Sequence, residues 1–373
     1  MKKILIITQS LSVDDGLGRY SMGLIKHLKK SYKLIILTSK LGSFREGYVE
    51  DKNIEYHKIP CMNKFFNVFY NFLYSWKLQG FFREVDFIHS FFDFPYCLLP
   101  FWNPFLKKPV FITAHGTYSV LPFDNLKTRF FMRRAYEKAK RIFCISKFTE
   151  KEILKRVSLK NTIVINNGIE YEKFANFRPR NTKNISKGGI ILTVGVLKPR
   201  KGYHVSIPAI AEVIKKYPQL KYYIVGGKPP DIYLKMVKDY GIEDNVVFFE
   251  NISDEELIKL YYQCDLFLLT SVVINNNEFE GFGLVYLEAG ACGKPVIGAF
   301  GSGAEDAIIN EETGILVPQN DIQKTAEAIL KLFDNSGLAQ KMGENGKKRA
   351  QEMDWESQVK KYIQIYENTF SVG

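Results

Sequence analysis

The sequence predicts an α/β protein of two domains, each a parallel sheet covered by helices on both faces. Three observations carry this. The 373 residues suffice for two separate cores. Short apolar runs alternate with longer amphipathic stretches, the pattern of strand–helix–strand units. A polar, basic, turn-rich stretch at residues 177–189, FRPRNTKNISKGG, interrupts the alternation near the middle. Domains of 1–180 and 187–355 follow, and about 356–373 reads as a terminal helix.

The elements come in order. The run 3–8 is a strand, 9–18 a loop, and 19–30 an amphipathic helix with Tyr20, Leu24 and Leu28 on one face. Strands are expected at 33–38, 86–89, 110–114, 141–145 and 162–165. In the second half they are expected at 190–195, 221–225, 246–249, 266–270, 295–299 and 314–317. Residues 284–292 read as a helix, and 338–370 as two helices broken near Asp354 and Trp355.

Composition excludes several classes. Apolar residues at 46% and charged residues at 25% are those of an ordinary globular chain rather than a disordered one. The opening MKKILIITQS has an apolar run too short for a signal-peptide core, and nothing reaches the roughly 20 apolar residues of a spanning helix. A cytoplasmic location is the expectation. The five cysteines (Cys61, Cys97, Cys144, Cys264, Cys292) are scattered without a C-x-x-C pair, which predicts buried thiols rather than a disulfide framework or zinc site. Gly293-Lys294 lacks the remaining residues of a phosphate-binding P-loop, and the first glycine loop is not G-x-G-x-x-G, which disfavours a nicotinamide dehydrogenase.

Charge is uneven. Residues 1–180 hold 31 Lys+Arg against 15 Asp+Glu, a net +16, while the remainder hold 21 against 25, a net −4. The first half is therefore expected to meet something anionic. Two segments there draw notice. Residues 65–82 (Phe65 to Phe82) hold nine aromatics in 18 positions, which suits either a buried helix or an interfacial segment dipping into lipid headgroups. Residues 127–141 (Lys127 to Arg141) hold seven basic residues and one acid among aromatics, which suits either an anionic membrane surface or a solvated helix face. Nucleic acid is not expected, since no nucleic-acid module is recognisable.

The densest chemistry lies at 278–288, EFEGFGLVYLE. Glu280 precedes Gly281-Phe282-Gly283, and Glu288 stands eight residues after Glu280. Glycines let backbone approach a ligand, and the following helix N-terminus attracts phosphate. Glu288, about one turn into the helix, is placed to accept from a ribose diol, and Glu280 to meet a sugar hydroxyl. The plain alternative is a loop–helix junction with two solvated acids.

This stretch resembles the E-x7-E motif of glycosyltransferase family 4, a group of retaining enzymes. The likeness continues in DGLGRY (15–20), TAHG (113–116), INNGIEYEKF (165–174), VGVLKPRKG (194–202), VGG (225–227), YYQCDLFLLTS (261–271), KPVIG (294–298) and TGILVP (313–318). It implies the GT-B fold: two Rossmann-like domains facing across a cleft, with the last helix crossing back to the first. It implies transfer of a sugar from a nucleotide-diphosphate-sugar to a glycan or lipid-linked acceptor, with no metal and no cofactor, in assembly of a cell-surface polysaccharide or glycolipid. A peripheral place on the inner membrane face goes with such an acceptor. By resemblance Glu288 binds the ribose, Glu280 holds the donor sugar near its anomeric carbon, and the amides of Phe282, Gly283 and Leu284 line the donor site. Lys201 neutralises the leaving diphosphate, Gly16 lets the first loop approach it from the other domain, and His115 sits beside the donor sugar. His89 and Asp265 are read as structural.

Two departures stand out. The family places Arg after the glycine of its G-R-L motif, where this chain has Val196. Either Arg200 supplies that charge or diphosphate binding rests on Lys201. The loop GSGAED (301–306) keeps Glu305 but lacks the family's Pro. Two rival functions remain at this level: a nucleotide-sugar epimerase of the same fold and a non-catalytic nucleotide-sugar-binding protein.

Overall fold

A computed structural model describes residues 1–12, 15–41, 51–60, 68–103, 106–177, 188–275 and 277–371. The chain divides into two compact units, Met1–Gly168 with Trp355–Gly373, and Ile169–Asp354. Each is built on one parallel sheet.

The first unit's strands are β1 (Lys3–Leu11), β2 (Lys33–Leu41), β3 (Ile54–Lys58), β4 (Phe87–Ser90), β5 (Val110–Ala114), β6 (Arg141–Cys144) and β7 (Thr162–Val164). They lie in the order β3-β2-β1-β4-β5-β6-β7, all parallel. Alternation along β1 decides how the sheet is covered, because successive side chains leave opposite faces. Ile4 and Ile6 join Tyr20, Leu24 and Leu28 of helix Gly16–Leu28 and Trp355, Val359, Tyr362 and Tyr366 of helix Trp355–Phe370. Leu5 and Ile7 point the other way, into a core with Leu78, Phe82, Tyr96 and Leu99. The terminal helix thus belongs to the first unit's core, as its expected crossing back implies.

The second unit carries β8 (Ile190–Val194), β9 (Lys221–Val225), β10 (Val246–Phe249), β11 (Leu266–Leu268), β12 (Val296–Ala299) and β13 (Gly314–Val317). Their order is β10-β9-β8-β11-β12-β13, again all parallel. Ile191, Tyr222, Ile224, Leu268, Ile297 and Ile315 pack on one face under Ile207, Ile210 and Ile329. Asp265, expected to be structural, accepts the Ile190 N–H at 2.8 Å and ties β8 to the start of β11.

Three expectations are corrected. The units part at Gly168–Ile169, not at 180–187. The reason is local packing: Phe174 meets Tyr261 edge-on, Lys173 pairs with Asp254 at 2.5 Å, and Tyr262 donates to the carbonyls of Phe174 and Ala175. Most of the polar stretch 177–189 lies outside the described residues. Strand β3 was not expected; it is a half-buried edge strand, IEYHK, whose charges mask its period. The aromatic segment is not one buried helix. Residues 65–67 lie outside the described residues, and the rest forms helices Val68–Lys77 and Gln79–Glu84, parted at Leu78. Leu78 and Phe82 are buried, whereas Leu73 and Trp76 are half exposed.

The basic segment is helix Leu126–Lys138 and its continuation. Thr128, Met132, Ala135 and Tyr136 face inward. All seven basic residues are exposed, beside exposed Leu126 and Phe130. Among the described residues no helix is long and apolar enough to cross a membrane. Cys97, Cys144, Cys264 and Cys292 are buried free thiols; Cys61 lies outside the described residues.

Candidate active site

In an open parallel sheet, ligands collect beyond the carboxyl ends of the strands where the strand order reverses. In the second unit that point lies between β8 and β11. The loops leaving these two strands carry the predicted charged residues.

After β8 the chain makes a tight turn, Pro199–Lys201, closed by Gly202 in the left-handed region at φ +75°. A Cβ at Gly202 would stand 1.8 Å from the Thr270 carbonyl oxygen, so only glycine fits. The turn is stitched to the segment after β11: the Val272 N–H donates to the Arg200 carbonyl at 2.8 Å, and the Thr270 hydroxyl to the Gly202 carbonyl at 3.1 Å. This holds Arg200 and Lys201 toward the second loop.

That loop ends in Gly281-Phe282-Gly283. Gly283, at φ +87°, caps helix Leu284–Ala291, and a Cβ there would strike the Tyr286 ring at 2.5 Å. The Glu280 carbonyl accepts the Gly303 N–H at 2.8 Å. The Glu280 carboxylate accepts from Lys201, from Arg200 at 3.4 Å and from the Ser271 hydroxyl at 3.4 Å. Burial alone would raise the Glu280 carboxyl. The Lys201 and Arg200 charges, with the Lys201 and Ser271 hydrogen bonds, outweigh it and hold the group below its ordinary range. The result is a nearly buried acid and two cations beside a helix N-terminus, a setting for a ligand that presents both anionic oxygens and hydroxyls. Arg200 shares the carboxylate oxygen that Lys201 binds, whereas Val196 is largely exposed.

Glu288 lies one turn further along the same helix and is buried, with one oxygen accepting the Tyr261 hydroxyl at 2.7 Å. Phe282 is buried, and Leu284 opens the helix. Glu305 accepts the Gly301 N–H at 2.6 Å and so braces its own loop.

The first unit reverses its strand order between β1 and β4. Beyond β1, Asp15 caps helix Gly16–Leu28, accepting the Gly18 N–H at 2.6 Å. A Cβ at Gly16 would meet open space, whereas one at Gly18 would stand 2.1 Å from the Ser12 carbonyl oxygen. Gly18 is the glycine the fold requires. Beyond β5, His115 donates from Nε2 to the Phe91 carbonyl at 2.8 Å, and its ring meets Tyr20 edge-on. Burial lowers its imidazole to about 4, with the Phe91 carbonyl pulling the other way. Beyond β4, Asp93 takes the His115 backbone N–H, the Ser119 hydroxyl and the Tyr136 hydroxyl, each at 2.9 Å. His89 bridges Tyr366 and Thr113 in the core at 2.6 and 2.9 Å, the structural role expected of it.

The description Glycosyltransferase Family 4 matches residues 15–173, and the description Glycosyl transferases group 1 matches residues 176–349. The chain belongs to glycosyltransferase family 4. This glycosyltransferase is 29% identical over 361 residues to an uncharacterized glycosyltransferase of Methanocaldococcus jannaschii, covering 94% of each chain. It is 30% identical over 187 residues to a GDP-mannose-dependent alpha-(1-6)-phosphatidylinositol monomannoside mannosyltransferase of Mycolicibacterium smegmatis, which covers 48% of this chain and 49% of that one. Among solved structures, Anabaena HepE in complex with UDP and glucose superposes with a TM-score of 0.80 at 20% identity, over 99% of this chain and 100% of that one. The two parallel-sheet units make the fold GT-B.

In the family-4 chain, Glu280, Lys201, Arg200, Phe282, Gly283, Leu284 and Glu288 gather in the second unit, while Gly16 and His115 belong to the first. Sequence reading missed Ser271, Tyr261 and Asp93. Tyr261 opens and Ser271 closes the stretch YYQCDLFLLTS, which the family likeness marked as a whole without singling out either residue. Asp93 sits among aromatics in FFDFP and had no such signal.

Proposed function

We propose that this glycosyltransferase moves a sugar, with retention at the anomeric carbon, from a nucleotide-diphosphate-sugar to a glycan or lipid-linked acceptor. The grip of Lys201 and Arg200 on Glu280, beside the N-terminus of helix Leu284–Ala291, carries this reading. The two cations take the diphosphate, the helix amides at Phe282, Gly283 and Leu284 line the site, Glu280 holds the donor sugar, and Glu288 holds the ribose. Negative charge grows on the departing diphosphate, and fixed cations that favour it lower the barrier. The departing oxygen takes the acceptor's proton, so no separate base and no metal is invoked.

Relatives named for GDP-mannose and for UDP leave the base to experiment. Purified protein is incubated with UDP- and GDP-sugars in the presence of a chelator, and released nucleoside diphosphate is measured. One donor is expected to be hydrolysed slowly, and Glu280→Ala to abolish it. Unchanged hydrolysis in that variant overturns the site, a strict metal requirement overturns metal independence, and an inverted product anomer by NMR overturns retention.

A cytoplasmic protein held at the inner membrane face, building a surface polysaccharide or glycolipid, is the setting we infer. Exposed Leu126 and Phe130 amid seven exposed cations support it, since apolar and cationic groups together suit an anionic bilayer. Co-sedimentation with phosphatidylglycerol vesicles is expected and should fall at high salt. Recovery in the supernatant whatever the lipid removes this part.

A further inference from the structure

Tyr261 lies near the C-terminal end of helix Asp254–Gln263, a helix whose start is fixed by a capping box between Ser253 and Glu256. Its ring is fully buried, packed against Phe267 of β11 and met edge-on by Phe174 of the segment that enters the second unit. The phenol therefore has little freedom to move. It reaches the helix Leu284–Ala291, where the Glu288 oxygen accepts it at 2.7 Å, a link across 27 residues of chain.

A buried carboxylate needs donors. A phenol is a neutral donor; unlike a lysine it cannot draw the carboxylate's charge into a pair, and it fixes one oxygen in direction. An ionised carboxylate can accept about four hydrogen bonds, so a group held this way can also receive a diol. Discrimination that rests on hydrogen bonds to substrate hydroxyls depends on how firmly the acceptor is aimed.

We propose that Tyr261 is a positioning residue that aims Glu288 at the ribose hydroxyls, and so sets the preference of the donor site for a ribonucleotide over a deoxyribonucleotide. This rests on Glu288 being the ribose ligand. Tyr261→Phe keeps the ring packing and removes only the hydroxyl.

The test is calorimetric binding of UDP, GDP and their 2′-deoxy and 3′-deoxy counterparts to the full chain, as wild type, Tyr261→Phe and Glu288→Gln, with circular dichroism confirming that each is folded. Wild type is expected to favour a ribonucleotide at least about tenfold, the ratio that one hydrogen bond to a charged group gives. Tyr261→Phe should lose most of that preference while its affinity for the deoxy forms changes little. A merely structural tyrosine would weaken all the nucleotides alike and leave the ratio intact. If Glu288→Gln removes the preference but Tyr261→Phe retains it, the proposal for Tyr261 is wrong and the ribose reading stands. If wild type shows no preference, or Glu288→Gln leaves it unchanged, the ribose reading itself fails and the proposal falls with it.

Discussion

One oxygen of Asp93 accepts both the backbone N–H of His115 and the hydroxyl of Ser119, while the other accepts Tyr136. A single buried carboxylate thus anchors the turn after β5, where Gly116 adopts φ +67°, to the helix Leu126–Lys138. The two titrating groups of this turn are shifted in ways that oppose each other. Burial pushes Asp93 up to about 6 and His115 down to about 4. A raised carboxyl binds its proton more readily folded than unfolded, so its contribution is full below about 4 and is lost as pH rises through about 6. A depressed imidazole contributes above its unfolded pKa of about 6.5 and loses that contribution as pH falls toward about 4. Over the same window the slopes offset. Each shift corresponds to roughly 3 kcal/mol. Asp93→Asn should therefore make stability rise more steeply between pH 4 and 6 than it does in wild type, and His115→Gln should make it rise less. Urea denaturation across that range checks both; parallel pH profiles for all three proteins would contradict the account.

Gly202 and Gly16 should part company. Alanine at Gly202 meets the Thr270 carbonyl at 1.8 Å in a left-handed conformation, and we expect a loss of at least ~2 kcal/mol with loss of nucleotide binding. Alanine at Gly16 meets nothing within 4 Å and stands in the first turn of a helix, so stability should hold or rise. Turnover of Gly16→Ala is nonetheless expected to fall, since the family likeness marks this first glycine loop as functional. Thermal denaturation and turnover, measured together on the two variants, give the comparison.

The sheet strands were readable because buried parallel strands are nearly continuous apolar runs, as in KILII and RIFC. Strand β3 was not, because an edge strand carries Glu55, His57 and Lys58. Within the site, Glu280 and Glu288 were readable from a glycine turn followed by a helix, a local pattern. Lys201 and Glu280 are 79 residues apart, and no periodicity joins them; only the family likeness did. The unit boundary was misjudged because composition marks polarity, whereas the actual change of unit depends on which core Phe174 enters.

Tyr366 fastens the terminal helix to the first unit's sheet through His89. The imidazole takes Tyr366 on Nδ1 and Thr113 on Nε2, and burial, with the nearby His115, holds it well below its ordinary pKa. Tyr366→Phe leaves one ring nitrogen of a buried histidine without that partner, a loss of about 1–3 kcal/mol. His89→Phe removes both groups' need for each other in part, so Phe at both positions should cost less than the sum of the single changes. Denaturant midpoints for the two singles and the double give the coupling, and strict additivity would mean the contact contributes nothing.

Lys201 and Arg200 are unequal partners of Glu280. Lys201 is the closer and more buried; Arg200 stands 3.4 Å away with a quarter of its side chain exposed. Removing one member of a buried pair usually costs ~3–5 kcal/mol, because the remaining charge is left unmatched. Since Arg200 stays, Lys201→Ala should cost about 2–3 kcal/mol, and Arg200→Ala under about 1 kcal/mol. Adding Glu280→Gln to Lys201→Ala should restore part of the stability, because the unmatched charge is gone. Turnover should respond differently. Lys201→Ala is expected to fall more than tenfold and the double variant further still, since a neutral amide matches the weakened site but cannot steady the donor sugar. Stability and turnover moving in opposite directions between the single and the double variant is the outcome that separates a catalytic cluster from a purely structural ion pair; parallel recovery of both would mark the cluster as structural.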